Sequence, residues 1–192
     1  VLMALNTYAR ADDATPWFEA VDAAVDLGAD ALICADIAVM AHARRAHPGL
    51  RLHLSVQASA TSHEAIAFYA RHYGIRRAVL PRVLTLAQVT QLLRHAGDVE
   101  IEVFGFGSLC VMVEGRCALS SYATGQLPNN AGVCSPPNAV RWADTPVGVE
   151  ARLNGLLIDR YAPDEPRGYP TLCKGRFDVQ GQRDYAIEEP TS

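Results

Sequence analysis

Short apolar runs alternate with stretches of helical periodicity from residue 1 to residue 106. The runs are rich in β-branched and long aliphatic side chains, and the segments between them place apolar residues at helical spacing. Strands that alternate with helices across short links predict a parallel sheet of βα units. The five predicted strands are residues 1–8, 31–35, 50–57, 77–80 and 100–106.

This βα repeat predicts an α/β fold with one of two architectures. Part of a (β/α)8 TIM-like barrel and an open doubly wound sheet both consist of parallel strands joined by helices. The first βα turn lacks the G-x-G-x-x-G sequence, which disfavours the dinucleotide-binding form of the open sheet. We interpret residues 1–106 as a partial (β/α)8 barrel in which about five βα units are visible.

Several residues stand where helices are expected to begin or end. Asp36 and Ser62 each precede a helical segment, and their side chains can accept hydrogen bonds from the first helical N–H groups. Thr85 and Gln88 have the spacing of a capping box. Gly74 is expected to end the helix that Ser62 begins.

The regular alternation is lost after residue 106. Residues 107–140 are rich in Gly, Ser, Asn, Pro and Cys, which is typical of a long loop that is functional or held by a bound group. Residues 148–158 are predicted to be helical. Residues 176–187 are predicted to form a β-hairpin around Gly181.

Two expectations concern the domain organisation. We expect residues 107–192 to form an irregular cysteine-rich segment and a C-terminal extension that pack on the same domain as residues 1–106. The chain begins without Met on a strand-like run. We therefore expect it to be a fragment of a longer protein.

The composition is that of an ordinary globular protein, with 49% apolar and 20% charged residues among 192. The net charge is -4 and the pI is about 5.8, and Lys and Arg are scattered along the sequence. We therefore expect nucleic acid to be an unlikely partner. No apolar run approaches the roughly 18 residues of a membrane span, so we expect a cytoplasmic protein.

Four cysteines in loop-like sequence have the spacing C-x6-C-x16-C-x38-C: Cys110, Cys117, Cys134 and Cys173. Separated thiols in a reducing compartment favour a soft metal centre over disulfides. Structural zinc sites tend to use close C-x2-C pairs, whereas a [4Fe–4S] cluster can gather ligands from distant loops. The spacing leaves zinc and iron both open. Cys34 lies in an apolar run and is expected to be a core residue.

Polar residues also follow the predicted strands. Asp36, Gln57 and Arg82 come at strand ends, where parallel α/β folds bind their ligands. We treat these three as candidate substrate-binding residues, with Arg82 suited to a carboxylate. Helix capping or a surface salt bridge explains each of them equally well. No residue can be assigned a catalytic role.

Four stretches around the cysteines match a known pattern. They run from Glu102 to Cys110, from Glu114 to Tyr122, from Gly132 to Pro136 and from Tyr169 to Arg176. Together they resemble the U32 peptidase-like family, and within it most of all the UbiU branch, which serves oxygen-independent ubiquinone biosynthesis. Collagenase-like members carry a further Cys soon after the third one, where this chain continues with Ser135. This difference favours the ubiquinone branch.

The resemblance implies more than the residues establish on their own. It implies that Cys110, Cys117, Cys134 and Cys173 hold a [4Fe–4S] cluster in a (β/α)8 barrel protein. It also implies a heterodimer with a homologous UbiV-like subunit. The implied activity is hydroxylation of an aromatic quinone precursor without O2.

Three other functions stay open beside the ubiquinone interpretation. Other members of the family act on RNA, so hydroxylation of an RNA base is an alternative. A structural zinc site or an electron-transfer module is the second. Proteolysis, which the family name suggests, is the third, although the chain contains no recognisable protease site.

Overall fold

The computed structural model describes residues 1–107, 110–114 and 116–186, and only the backbone of residues 184–186. The chain divides into two compact units, Val1–Gly105 and Phe106–Ser192. The first unit alternates strands and helices along its whole length. Its elements are β1 Leu2–Leu5, α1 Thr15–Asp26, β2 Ala31–Cys34, α2 Ile37–Ala46, β3 Arg51–Leu54, a 3-10 turn Val56–Ala58, α3 His63–Tyr73, β4 Ile75–Val79, α4 Leu86–His95 and β5 Glu100–Glu102.

The five strands form one parallel sheet in the order β1-β2-β3-β4-β5. The predicted α/β fold with a parallel sheet is therefore confirmed. The order follows the sequence without the reversal that defines a doubly wound sheet. Within the described residues β1 and β5 each pair with a single neighbour, so a closed barrel is not shown.

The two faces of this sheet differ because side chains alternate along each strand. On one face, Leu52 and Leu54 are fully buried beneath the helices in a continuous apolar core. On the other face, Arg77 forms ion pairs with Glu100 at 2.7 Å and with Glu102 at 3.0 Å. Burial of apolar surface under the helices is the main force that holds this unit together.

The helix ends follow the sequence signals. The Asp36 carboxylate caps α2, the Ser62 hydroxyl caps α3, and Thr85 and Gln88 form a reciprocal capping box at the start of α4. Gly74 ends α3 in a left-handed conformation with φ of 62°, which costs glycine little because it has no Cβ. These local predictions are confirmed. Within the described residues, no helix combines the length and the apolar character needed to cross a bilayer.

The described part of the second unit contains two short helices, an antiparallel sheet of three strands and a separate β-hairpin. Its small core consists of Ala123, Ala139, Ala151, Leu153, Ile158 and Tyr161. The elements are α5 Ala118–Thr124, α6 Pro128–Ala131, β6 Val140–Thr145, β7 Gly148–Leu153, β8 Leu156–Tyr161, a 3-10 turn Leu172–Lys174, β9 Arg176–Val179 and β10 Gln182–Ala186. The predicted hairpin is confirmed by β9 and β10, and residue 187 lies outside the described residues.

The helix predicted for residues 148–158 is wrong, because this stretch forms β7, a tight turn and β8. Burial along β7 has a period of two, with Val149, Ala151 and Leu153 facing the core. Asn154 and Gly155 make the turn with positive φ angles of 49° and 85°. An Asn-Gly pair between two apolar runs is a strong signal for a hairpin, and that signal outweighs a short helical pattern.

Candidate functional site

The four cysteines of the predicted metal site all lie in the second unit. Cys110 is exposed in the irregular segment after β5, and Cys117 is buried as the residue that caps α5. Cys134 follows α6, and Cys173 lies in the 3-10 turn Leu172–Lys174, both half-buried. None of the chain's cysteines forms a disulfide in the structure. All four side chains lie outside the strands, on short segments of the second unit.

Three of these sulfurs take part in local hydrogen bonds. The Cys117 sulfur accepts the Ser120 N–H at 3.3 Å, one of the N–H groups that the first turn of a helix leaves without a partner. The Cys110 sulfur accepts the Met112 N–H at 3.4 Å. The Cys173 sulfur lies 2.9 Å from the Thr171 hydroxyl, in a hydrogen bond whose donor can be either group. The sequence pattern did not reveal these partners, because backbone N–H groups and turns carry no distinctive residue signature.

The segments that carry Cys134 and Cys173 are tied to each other. Ser135 follows Cys134, and its hydroxyl donates a 2.7 Å hydrogen bond to the Pro170 carbonyl, near Cys173. Burial raises the pKa of the Cys134 thiol, and negative charge on Cys117, Cys110 and Cys173 raises it further. The Ser135 hydrogen bond thus ties the segment of Cys134 to the segment of Cys173.

The chemistry of this donor set fits a soft metal, since all four groups are thiols that become strong ligands as thiolates. In the residues that the structure describes, no group of three or more His, Cys, Asp or Glu is arranged to hold a metal ion. Coordination of a zinc ion requires sulfur atoms about 2.3 Å from the metal. By residue type the four thiols suit a soft metal, whereas the described residues show no coordination geometry.

Glu114 is a buried carboxylate that the sequence analysis did not single out. Its exposed fraction is 6%, and it lies between Cys110 and Cys117 along the chain. A buried carboxylate is costly unless it is paired or hydrogen-bonded. A single Glu in loop-like sequence normally indicates a solvated side chain, so nothing in the sequence pattern marked it.

Cys34 does not belong to this group. It lies in β2, inside the core of the first unit, with no solvent exposure. Burial raises the pKa of its thiol to about 12, with a smaller contribution from the Asp36 carboxylate. The prediction that Cys34 is a core residue is confirmed.

At the carboxyl edge of the five-stranded sheet, the segments after β1, β2 and β3 are linked by hydrogen bonds. The Tyr8 hydroxyl donates to the Gln57 carbonyl at 2.6 Å. The Ala9 N–H donates to the Asp36 carboxylate at 3.2 Å. Asp36 and Gln57 are thus held at the same edge, as the sequence predicted from their places after parallel strands.

The three candidate substrate-binding residues differ in how their polar atoms are used. Asp36 Oδ1 accepts the N–H groups of Ala38 and Val39, and its Oδ2 accepts that of Ala9. Gln57 Oε1 is buried and has no hydrogen-bond partner among the described residues. Arg82 lies half-buried between β4 and α4. Asp36 is therefore committed to the backbone, whereas Gln57 carries an acceptor that a ligand could satisfy.

Comparison with known proteins gives one family match. The model of peptidase family U32 matches residues 1–152 of the chain. No solved structure is matched. The family model covers more than half of the 192 residues. The matched part contains the sheet unit and the segments around Cys110, Cys117 and Cys134.

Individual relatives span bacteria and archaea. The chain is 36% identical to tRNA hydroxylation protein P of Escherichia coli (strain K12) over 140 residues, which are 72% of this chain and 30% of that protein. It is 36% identical to an uncharacterized protease of Methanocaldococcus jannaschii over 146 residues, 74% of this chain and 35% of the relative. It is 32% identical to the 23S rRNA 5-hydroxycytidine synthase of Escherichia coli over 135 residues, 70% of this chain and 20% of the relative.

These relatives correct two expectations about partners. Nucleic acid was expected to be an unlikely partner and an aromatic quinone precursor the substrate, yet two of the relatives are RNA hydroxylation proteins by name. Both expectations are wrong. The UbiV-like subunit was expected only as part of the ubiquinone interpretation, which these relatives do not support. Net charge is a sum over the whole chain, whereas RNA contacts depend on where the arginines and lysines lie locally.

The chain spans between 20% and 35% of the length of these three relatives. The family match over residues 1–152 takes in the parallel βα unit and the first part of the second unit of this chain. The chain belongs to peptidase family U32.

Proposed function

We propose that this chain is part of a protein that hydroxylates a base of structured RNA, with a pyrimidine such as cytidine as the target. The observation that carries the proposal is the 36% identity to a tRNA hydroxylation protein over 140 residues. Similarity to a 5-hydroxycytidine synthase that acts on 23S rRNA supports the same chemistry. One relative is a protease by name, but no protease site is recognisable in the sequence of this chain.

The proposal includes a [4Fe–4S] cluster on Cys110, Cys117, Cys134 and Cys173. When bound, such a cluster supplies one-electron transfer. The support is the all-sulfur donor set, together with the Ser135–Pro170 hydrogen bond that links the segments of Cys134 and Cys173. The hydrogen bonds to the sulfurs of Cys110, Cys117 and Cys173 orient these side chains. Donors at these positions would offset the negative charge of thiolate ligands.

Gln57 is the residue proposed to contact the base. Its buried Oε1 atom lacks a partner in the described part of the chain and lies at the carboxyl edge of the sheet. Parallel α/β folds bind ligands at that edge. A carboxamide oxygen accepts a hydrogen bond from an exocyclic amino group, which cytosine carries and uracil does not. Asp36 and Tyr8 hold the neighbouring backbone in place.

The cluster is tested by metal analysis of the full-length protein purified without oxygen. We expect iron and acid-labile sulfide in the wild type, and loss of both when Cys110, Cys117, Cys134 or Cys173 is changed to Ser. Cys34→Ser is the matched control, because Cys34 lies in the core of the other unit, and it should keep its iron. Zinc in place of iron would contradict the cluster and favour a structural metal site.

The activity is tested in the organism that carries the gene. Deleting the gene should abolish one hydroxylated pyrimidine nucleoside in digests of tRNA or rRNA measured by mass spectrometry. A Gln57→Leu protein should restore that nucleoside poorly. Gln180→Leu is the control, since Gln180 is exposed in the turn before β10. An unchanged nucleoside profile in the deletion strain would refute the proposed function.

A further inference from the structure

A cavity of about 730 Å³ lies at the amino edge of the five-stranded sheet, opposite the edge where Gln57 lies. It is bounded by the starts of β3, β4 and β5 and by the ends of α2, α3 and α4. Its lining residues with ionisable side chains are Arg44, Arg51, Arg71, Arg76, His95 and Asp98. Four arginines and one aspartate therefore line the cavity, in a chain whose net charge is -4.

Two of the four arginines have structural partners. Arg44 donates to the carbonyls of Tyr73 and Gly74, which fixes the end of α3 against α2. These partners are neutral, so the charge of Arg44 is not cancelled. Arg51 forms an ion pair with Glu100 at 2.7 Å. These contacts hold the wall of the cavity in place and leave part of its positive charge uncompensated.

The other two arginines have no such partner. Arg71, in the last turn of α3, and Arg76, in β4, are both exposed and form no hydrogen bond or ion pair with other described residues. Each guanidinium presents a planar fork of N–H donors that matches two oxygens of a phosphate. Two unpaired forks in one concave surface are suited to an anion with several phosphate groups.

Helix dipoles account for part of this cluster but not all of it. Cations near the carboxyl end of a helix are stabilised by the macrodipole, and this explains Arg44 in α2 and Arg71 in α3. Arg76 lies in a strand, so the dipole of a helix does not explain its position. If each arginine only stabilised the end of its own helix or strand, the arginines of α2, α3, β3 and β4 would have no reason to line one cavity.

We propose that this arginine-lined cavity binds the phosphodiester backbone of the RNA substrate. The inference rests on the proposed function and adds to it a second RNA contact, remote from the edge that holds Gln57. Contacts to phosphate are independent of base sequence, and they fix the position of the RNA. The base would then be selected at one edge of the sheet while the backbone is held at the other.

The test compares RNA binding by the full-length wild type and two double variants. R71Q/R76Q removes both unpaired guanidinium groups, and R45Q/R94Q removes two exposed helical arginines that do not line the cavity. Binding of a fluorescent tRNA transcript and of short RNAs with different sequences is measured by anisotropy over a series of KCl concentrations. Thermal unfolding of each protein is recorded in parallel.

We expect R71Q/R76Q to weaken binding of all the RNAs by a similar factor, roughly ten-fold or more at low salt. The negative slope of log K against log salt should become less steep by about 2. R45Q/R94Q should bind like the wild type. If R71Q/R76Q lowers the melting temperature but binds RNA normally, the arginines serve the helix ends and the inference is refuted, while the proposed function stands.

Two further outcomes separate the alternatives. If the wild type binds no RNA, the proposed function fails together with this inference. If calorimetry shows that the wild type binds inorganic phosphate or pyrophosphate and R71Q/R76Q loses that binding while RNA binding is unchanged, the cavity is a small-anion site. That result would overturn the RNA assignment and leave the proposed function intact.

Discussion

The hydroxyl of Ser135 donates a 2.7 Å hydrogen bond to the carbonyl of Pro170, 35 residues further along the chain. Both residues are buried. Ser135 adjoins Cys134, and Pro170 is three residues before Cys173. This single contact therefore holds together two segments that carry proposed ligands.

Changing Ser135 to Ala should loosen the second unit. The change leaves the Pro170 carbonyl buried without its donor, which costs about 1–3 kcal/mol of unfolding free energy. Urea titration measures this loss, and faster release of iron to a chelator would accompany it. Thr90→Ala is the control, because its hydroxyl bonds only to Leu86 within α4. Equal stability and equal iron retention in Ser135→Ala and wild type would contradict the prediction.

Asp36 should behave as a structural cap. Its carboxylate accepts three backbone N–H groups, two from α2 and one from Ala9. Asp36→Ala is expected to lower the unfolding free energy by about 1–2 kcal/mol, whereas Asp36→Asn retains an acceptor and should lose much less. Denaturant unfolding measures both. A protein with Asp36→Asn that is stable but inactive would show that Asp36 also acts on the substrate.

His53 should make stability depend on pH. Burial lowers the pKa of His53, and the positive charges of Arg77 and Arg51 lower it further, against the opposing effect of Glu100 and Glu102. Below pH about 6.5 the unfolded chain binds a proton that the folded chain does not. The unfolding free energy should therefore fall as the pH is lowered from 7.5 to 5.5, and it should be fully recovered above the unfolded pKa.

Matched histidine variants isolate this effect. His53→Gln keeps an acceptor for the Arg51 N–H that now bonds to the ring, and it should reduce the dependence of stability on pH. His72→Gln removes an exposed histidine and should leave the dependence as in the wild type. Identical pH profiles for His53→Gln and wild type would rule out His53 as the source.

Gly148 should tolerate no side chain. Its φ is +135°, and a Cβ atom there would lie 1.9 Å from the Tyr161 carbonyl oxygen in the neighbouring strand. Gly148→Ala combines backbone strain with a clash and should cost about 2–5 kcal/mol. Gly49→Ala is the control, since a Cβ atom added at Gly49 would have no neighbouring atom within 4 Å. Thermal unfolding measures both, and a melting temperature unchanged in Gly148→Ala would refute the prediction.

The local elements of this protein could be predicted from the sequence because their causes lie within a few residues. Asp36, Ser62 and Thr85 begin helices through hydrogen bonds to their own first turns. Gly181 lies in the short turn between β9 and β10, which pair with each other directly. Local hydrogen bonding and side-chain periodicity are enough to specify such elements.

The segment from Gly148 to Tyr161 shows where local patterns are insufficient. Its apolar residues are too few to separate a period of 3.6 from a period of two, and the Asn154-Gly155 turn is the stronger local signal. Packing against Ala123 and Ala139 in the small core then favours strands. Tertiary contacts override weak local preferences in this way.

By itself, the sequence determined the parallel βα unit, the helix caps, the cysteine spacing and the burial of Cys34, because each depends on residues close together in the chain or on apolar pattern. Only the tertiary structure decided that Arg71 and Arg76 share a cavity with Arg44 and Arg51. These arginines look scattered in the sequence. Parallel strands all begin at one edge of the sheet, so residues about 25 apart become neighbours there, and a chain of negative net charge acquires a positive surface.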